Sequence, residues 1–151
     1  MALIPQEVYA TVERKRRGRW VMIPRAESQL AEAQARAVNI AAPAADAVTV
    51  RGSDKDKMTG KVAAILRAEE RLEQARKWED VFRLMDRVFP FESSQEGIIA
   101  GYMYDNGMTQ KEAARACHCS RQAVQRLRDN WVCHAALIAA GEGLIKIEDK
   151  G

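Results

Sequence analysis

The chain has 151 residues, 47% of them hydrophobic but only 6% aromatic, and its 24 basic and 21 acidic side chains leave a formal charge of +3. That length holds one ordinary domain, or a small domain with a helical extension, and so mild a charge excludes nothing until its location is known. Three cysteines, an odd number, exclude a disulfide framework; no apolar stretch is long enough for a membrane span, and the N-terminus lacks the basic-then-apolar order of a signal peptide.

Alanine, arginine, glutamate and leucine dominate, a mixture that favours helices. The expected fold is all-α, and Ala47-Val48-Thr49-Val50 is the one strand-like run. Residues 1–55 read as a flexible, partly disordered basic segment and linker. They hold the densest charge run, Arg14, Lys15, Arg16 and Arg17, then Gly18, Arg19 and Trp20. After Pro24, Arg25–Val38 reads as a short helix with a weak apolar face. Ala41-Ala42-Pro43-Ala44-Ala45 and Arg51-Gly52-Ser53-Asp54 have the composition of a linker.

Residues 56–90 read as a long amphipathic helix, clearest from Thr59 to Phe89. Val62, Ile65, Leu66, Leu72, Ala75, Trp78, Val81, Phe82, Met85 and Phe89 recur at helical spacing, with charged residues between them. Glu79 and Asp86 fall on the apolar seam, which argues against a long two-stranded coiled coil and leaves a shorter dimer contact open. Phe89-Pro90-Phe91 ends the helix.

Residues 91–140 read as a three-helix DNA-binding unit, followed by a tail over 141–151. Ser93 and Glu96 stand in capping-box register before Ile98, Ile99, Tyr102 and Met103. Asp105-Asn106-Gly107 ends that helix, with Gly107 at the left-handed position. Thr109-Gln110-Lys111-Glu112 is a second capping box, opening a helix that runs to Cys117. Ala113 and Ala114 are small enough for a close helix crossing. His118 falls where the turn needs positive φ, a conformation histidine tolerates better than most residues. Ser120 caps a third helix whose inward face is Ala123, Val124 and Leu127, extended by Trp131.

The remaining positions of this helix-turn-helix carry its chemistry. The start of a recognition helix enters the major groove, where arginine can bridge guanine and glutamine can bridge adenine. Arg121, Gln122 and Gln125 are the expected base readers. Thr109, Lys111, Arg115, Ser120, Arg126 and Arg128 are the expected phosphate contacts, giving affinity without sequence information. Arg14, Lys15, Arg16, Arg17 and Arg19 form a candidate second nucleic-acid contact, weighed equally against a solvated tail.

The stretch from Tyr102-Met103-Tyr104-Asp105-Asn106-Gly107-Met108-Thr109 through Ser120-Arg121-Gln122-Ala123-Val124 resembles the promoter-reading fourth region of bacterial sigma factors. With the long charged helix before it, the region from Asp54 to Leu137 is similar to the RinA/ArpU-type regulators of phage late genes. The resemblance implies recognition contacts from Arg121, Gln122, Gln125 and Arg126, activation of late genes, and the cytoplasm of a bacterial host cell. It also brings RNA polymerase in as a candidate partner, beside duplex DNA and a second copy of the chain joined through the long helix.

Cys117, His118, Cys119, Cys133 and His134 can all ligate a metal, but their spacing fits no common zinc finger. Cys117 and Cys119 occupy positions expected to be buried, where cysteine behaves as a small hydrophobe. No metal or cofactor is therefore expected. No nucleophile elbow or glycine-rich phosphate loop stands out, so the chain reads as a non-enzyme. Two other readings compete with a regulator: a DNA-packaging protein like a small terminase subunit, and a polymerase-binding module without base readout.

Overall fold

The computed structural model describes residues 4–41 and 52–147, and the described residues form helices and no strand. Six α-helices follow in order: α1 Gln6–Arg17, α2 Arg19–Ala41, α3 Gly52–Val88, α4 Gln95–Ala100, α5 Gln110–Ala116 and α6 Arg121–Gly141. A π-helical segment, Gly101–Asp105, continues α4. The all-α architecture, with a long helix ahead of a helix-turn-helix, is the one expected. The strand-like run at 47–50 lies outside the described residues, as does the linker composition from Ala42 to Arg51.

The chain divides into two compact units, one of Val21–Arg76 and one built from the residues up to Trp20 and those from Lys77 onward. In the first, α2 and the early part of α3 lie antiparallel. Ala26, Leu72 and Ala75 form a small core, with Met22, Ile23 and Leu30 packed on it, and the Lys61 ammonium donates to the Arg36 carbonyl at 3.1 Å. The helix expected to begin after Pro24 begins at Arg19 and runs through that proline. Pro24 lies near the N-terminus, where a missing N–H removes only the one bond that the Trp20 carbonyl would accept. α3 likewise starts earlier than its apolar pattern indicated. Val62 and Leu66, expected on its apolar face, are more than half exposed, and so is Met58 one turn earlier.

The second unit holds the larger core. Val12 of α1, Phe82 and Met85 of α3, Ile99 of α4, and Val124 and Val132 of α6 are fully enclosed. Trp131 stacks on Phe82 with centroids 6.3 Å apart and tilts against Tyr104 at 5.4 Å, joining α3, α6 and the π segment through aromatic faces. The segment expected to be partly disordered is helical over Gln6–Ala41. In α1, Val8, Tyr9 and Val12 make a buried stripe at helical spacing, which the neighbouring charge run obscures in the sequence.

The turn after α3 sets how α4 enters the unit. The amides of Ser93 and Ser94 both donate to the Pro90 carbonyl, at 3.2 and 2.8 Å. This closed turn moves the helix start one residue beyond the expected Ser93. Ser94 is extended, its hydroxyl accepts from the Gly97 amide, and it donates to Glu96 at 3.0 Å. A Cβ at Gly97 would lie 2.3 Å from the Phe89 carbonyl oxygen. Glycine there permits backbone to approach backbone, which outweighs its low helix propensity.

Candidate nucleic-acid interface

The local geometry of the helix-turn-helix follows its sequence closely. Thr109 is the N-cap of α5, and its capping box with Glu112 is fully formed. α5 ends in a left-handed residue, His118 at φ 54°, with the Cys119 amide bonded to Ala114 and the His118 amide to Arg115. This pairing is a Schellman ending with histidine in the place glycine usually takes. The Ser120 hydroxyl then accepts from the Ala123 amide at 3.0 Å and starts α6. Gly107, also left-handed at φ 67°, turns the chain from the π segment into α5. Ala113 and Ala114 are buried, as a close crossing requires.

Arg121 and Gln122, in the first turn of α6, are exposed, and so is Arg126 one turn later. Lys111 and Arg115 are exposed on α5. None of these five side chains makes a hydrogen bond or ion pair among the described residues, so their donors are available to a ligand.

Gln125 stands apart from that group. It is partly buried, donates to Asp129 at 2.6 Å and accepts from Gln110, so its amide is engaged within the protein. The Thr109 and Ser120 hydroxyls are likewise occupied as helix caps. Arg128, expected to face solvent, instead turns inward. Its guanidinium donates to the Glu13 carboxylate at 2.7 and 2.6 Å and lies 5.4 Å from the centre of the Tyr9 ring. The shift follows from α1, which covers this part of α6 and brings a buried carboxylate to it.

The N-terminal basic run is divided in the same way. Arg16 is buried and forms a two-bonded pair with Asp105 at 2.6 and 2.9 Å. Arg19 is buried and paired with Glu79 and Asp86. Partial burial and the neighbouring Arg14 charge lower the Lys15 ammonium from its usual range. Only Arg14 and Arg17 are exposed. Cys117 and Cys119, expected to be buried, are half-buried, as is Cys133, and none of the three forms a disulfide. Burial, with the adjacent Cys119, pushes the Cys117 thiol up, which disfavours the reactive thiolate. Among the described residues, no three histidine, cysteine or acidic side chains are grouped to hold a metal ion, and no helix is long and apolar enough to cross a membrane.

Residues 98–139 match the family model of the homeodomain-like domain. This part of the chain is a helix-turn-helix DNA-binding domain. Comparison with curated proteins and with solved structures gives no significant match. The homeodomain-like region takes in the second half of α4, the π segment, α5 and nearly all of α6, while α1 and α3 lie outside it. Its start on α4 and its recognition helix α6 are the elements that sequence reasoning placed. What that reasoning missed is α1, whose Tyr9 hydroxyl donates to Asp129 at 2.6 Å and whose Glu13 holds Arg128. The available signal was a lone carboxylate at Glu13 beside a run of arginines.

Proposed function

We propose that the chain is a sequence-specific, non-enzymatic transcription regulator that reads duplex DNA with the first turns of α6. The observation that carries this reading is the set Arg121, Gln122 and Arg126, exposed together at the start of a capped recognition helix with no side-chain partner among the described residues. Arg121 and Gln122 are the proposed principal base readers, with Gln125 secondary because its amide must first leave Gln110 and Asp129. Lys111, Arg115 and Arg126 are the proposed phosphate contacts, while Thr109 and Ser120 hold the helix starts in place.

The similarity to RinA/ArpU-type regulators supports phage or prophage late-gene promoters as the targets and RNA polymerase as a protein partner. Selection of binding sites from randomised duplex DNA at near-physiological salt tests the reading. The expected result is one enriched motif that is lost in the Arg121→Ala/Gln122→Ala double variant. Binding without enrichment, at salt that suppresses phosphate-only contacts, would refute base readout.

One observation favours a second reading. Met58, Val62 and Leu66 form an exposed apolar stripe along α3 at four-residue spacing, a surface suited to self-association. A packaging protein of the small-terminase kind would assemble through such a surface into a large ring. Solution mass separates the two: a monomer or dimer supports the regulator, and a ring supports packaging.

A further inference from the structure

The N-terminal arginines do not act together, because the fold uses them differently. Arg16 and Arg19 are consumed in buried pairs. Arg17, the last residue of α1, lines a cleft of about 560 Å³ with Lys111 of α5 and with Arg121 and Arg128 of α6. The floor is formed by Met103 and Tyr104, and no acidic side chain lines it. Arg128 is neutralised there by Glu13, which leaves Arg17, Lys111 and Arg121 as three cations from three separate helices.

We propose that Arg17 is a DNA-phosphate contact, so that α1 forms one wall of the DNA-binding face. This rests on the DNA-binding reading above. Phosphate oxygens are the chemistry that a carboxylate-free cleft with three guanidinium or ammonium groups selects. The source is the DNA backbone rather than a free anion, because Arg121 stands both in this cleft and at the start of the recognition helix.

Arg17 is also held in position. Its guanidinium carbon lies 5.4 Å from the centre of the Tyr104 ring, and one nitrogen is 3.9 Å from Glu13. The helix beneath it is fixed at both ends, by Tyr9 on Asp129 and by Arg16 on Asp105. A cation mounted this way loses little conformational freedom on binding, unlike one on a free arm.

The test is a salt titration of the full chain on a mixed-sequence duplex and on any duplex selected from the randomised pool. Each phosphate neutralised contributes about 0.9 to the slope of log affinity against log salt. Arg17→Gln should lower that slope by about one, as should Lys111→Gln, and weaken all duplexes by the same factor. Arg17→Lys should restore the slope. Arg67→Gln, exposed on α3 and outside the cleft, should leave it unchanged. An unchanged slope in Arg17→Gln beside a lowered one in Lys111→Gln would overturn the proposal. A slope lowered by Arg17→Gln with no motif enriched by the wild-type chain would uphold the phosphate contact and refute base readout. Failure of the wild-type chain to bind any duplex would overturn both.

Discussion

The Glu13 carboxylate receives two hydrogen bonds from the Arg128 guanidinium and a third, at 2.6 Å, from the Tyr104 hydroxyl. Glu13 is 6% exposed, so this one side chain ties α1, the π segment and α6 together out of reach of water. Burial raises the Tyr104 phenol far above its usual range, and the Glu13 charge raises it further. The hydroxyl therefore remains a donor across the ordinary pH range. α1 belongs structurally to the DNA-binding unit although it lies outside the homeodomain-like region.

Glu13→Ala should destabilise this unit by at most about 3–5 kcal/mol, because it leaves the half-buried Arg128 charge and the buried Tyr104 hydroxyl without their partner. The double variant Glu13→Leu/Arg128→Met should recover only part of that loss: it removes the unpaired charge, but the buried Tyr104 hydroxyl still lacks the acceptor it had in Glu13. Urea unfolding followed by tryptophan fluorescence reports both, with Trp131 and Trp78 in the core. Additive losses in the double variant would show that the two residues act independently.

The two glycines of the first domain helix should respond differently to alanine, and both against helix propensity. In an exposed helix, glycine to alanine stabilises by about 1 kcal/mol. At Gly97 the new methyl would meet two backbone carbonyl groups, at 2.3 and 2.8 Å, and neither can move without opening the Phe89–Phe91 turn. Gly97→Ala should cost about 1–3 kcal/mol, the usual range for overpacking. At Gly101 the obstacle is the Phe91 ring, 2.7 Å away, and that side chain is half exposed. The ring can swing aside, so Gly101→Ala should be the milder change. Thermal melts of the two variants rank them directly.

The caps, the left-handed His118 and Gly107, and the small crossing residues were legible because each is a local rule satisfied within a few positions. The burial of Arg16, Arg19 and Arg128 was not, since it depends on carboxylates 89, 60 and 115 positions away. No periodicity encodes such pairs. The exposure of Val62 and Leu66 was illegible for a related reason: the helical period is real, but it does not say how much of the helix finds a partner. Gly97 and Gly101 have low helix propensity, and their value lies in contacts with the preceding turn, which no local rule of the sequence encodes.

Acid should loosen the attachment of α1 through Asp105. Burial alone would raise its carboxyl. Hydrogen bonds from Arg16 and Trp20, and the charges of Arg16 and Arg19, outweigh burial and hold it below its usual range. A carboxyl depressed in the folded state adds stability that is fully present above its unfolded value, about pH 4, and is lost as pH falls through the folded value. Wild-type stability should therefore decline below about pH 4, and Asp105→Asn should flatten that part of the profile while lowering stability at neutral pH. Urea midpoints measured from pH 7 to pH 2.5, roughly the range in which carboxylates titrate, check both signs. An identical acid slope in the variant would remove Asp105 from the account.

The recognition helix itself should show a graded response. Arg121 and Gln122 are exposed, with no side-chain partner among the described residues, so alanine at either should cost about 1–3 kcal/mol on the selected duplex and relax the preference at one base position. Gln125 is held by Asp129 and Gln110, and a base contact from it must first break those bonds. Each such internal bond contributes about 0.5–1.5 kcal/mol, which offsets most of what a base contact adds. Gln125→Ala should therefore change affinity and motif less than either neighbour. Asp129→Ala frees one end of the same amide, so it should sharpen the preference at the position Gln125 faces. Parallel site selections with the four variants decide the order. A motif lost in Gln125→Ala and kept in Arg121→Ala would reverse it, and would mean that DNA draws Gln125 away from Asp129 on binding.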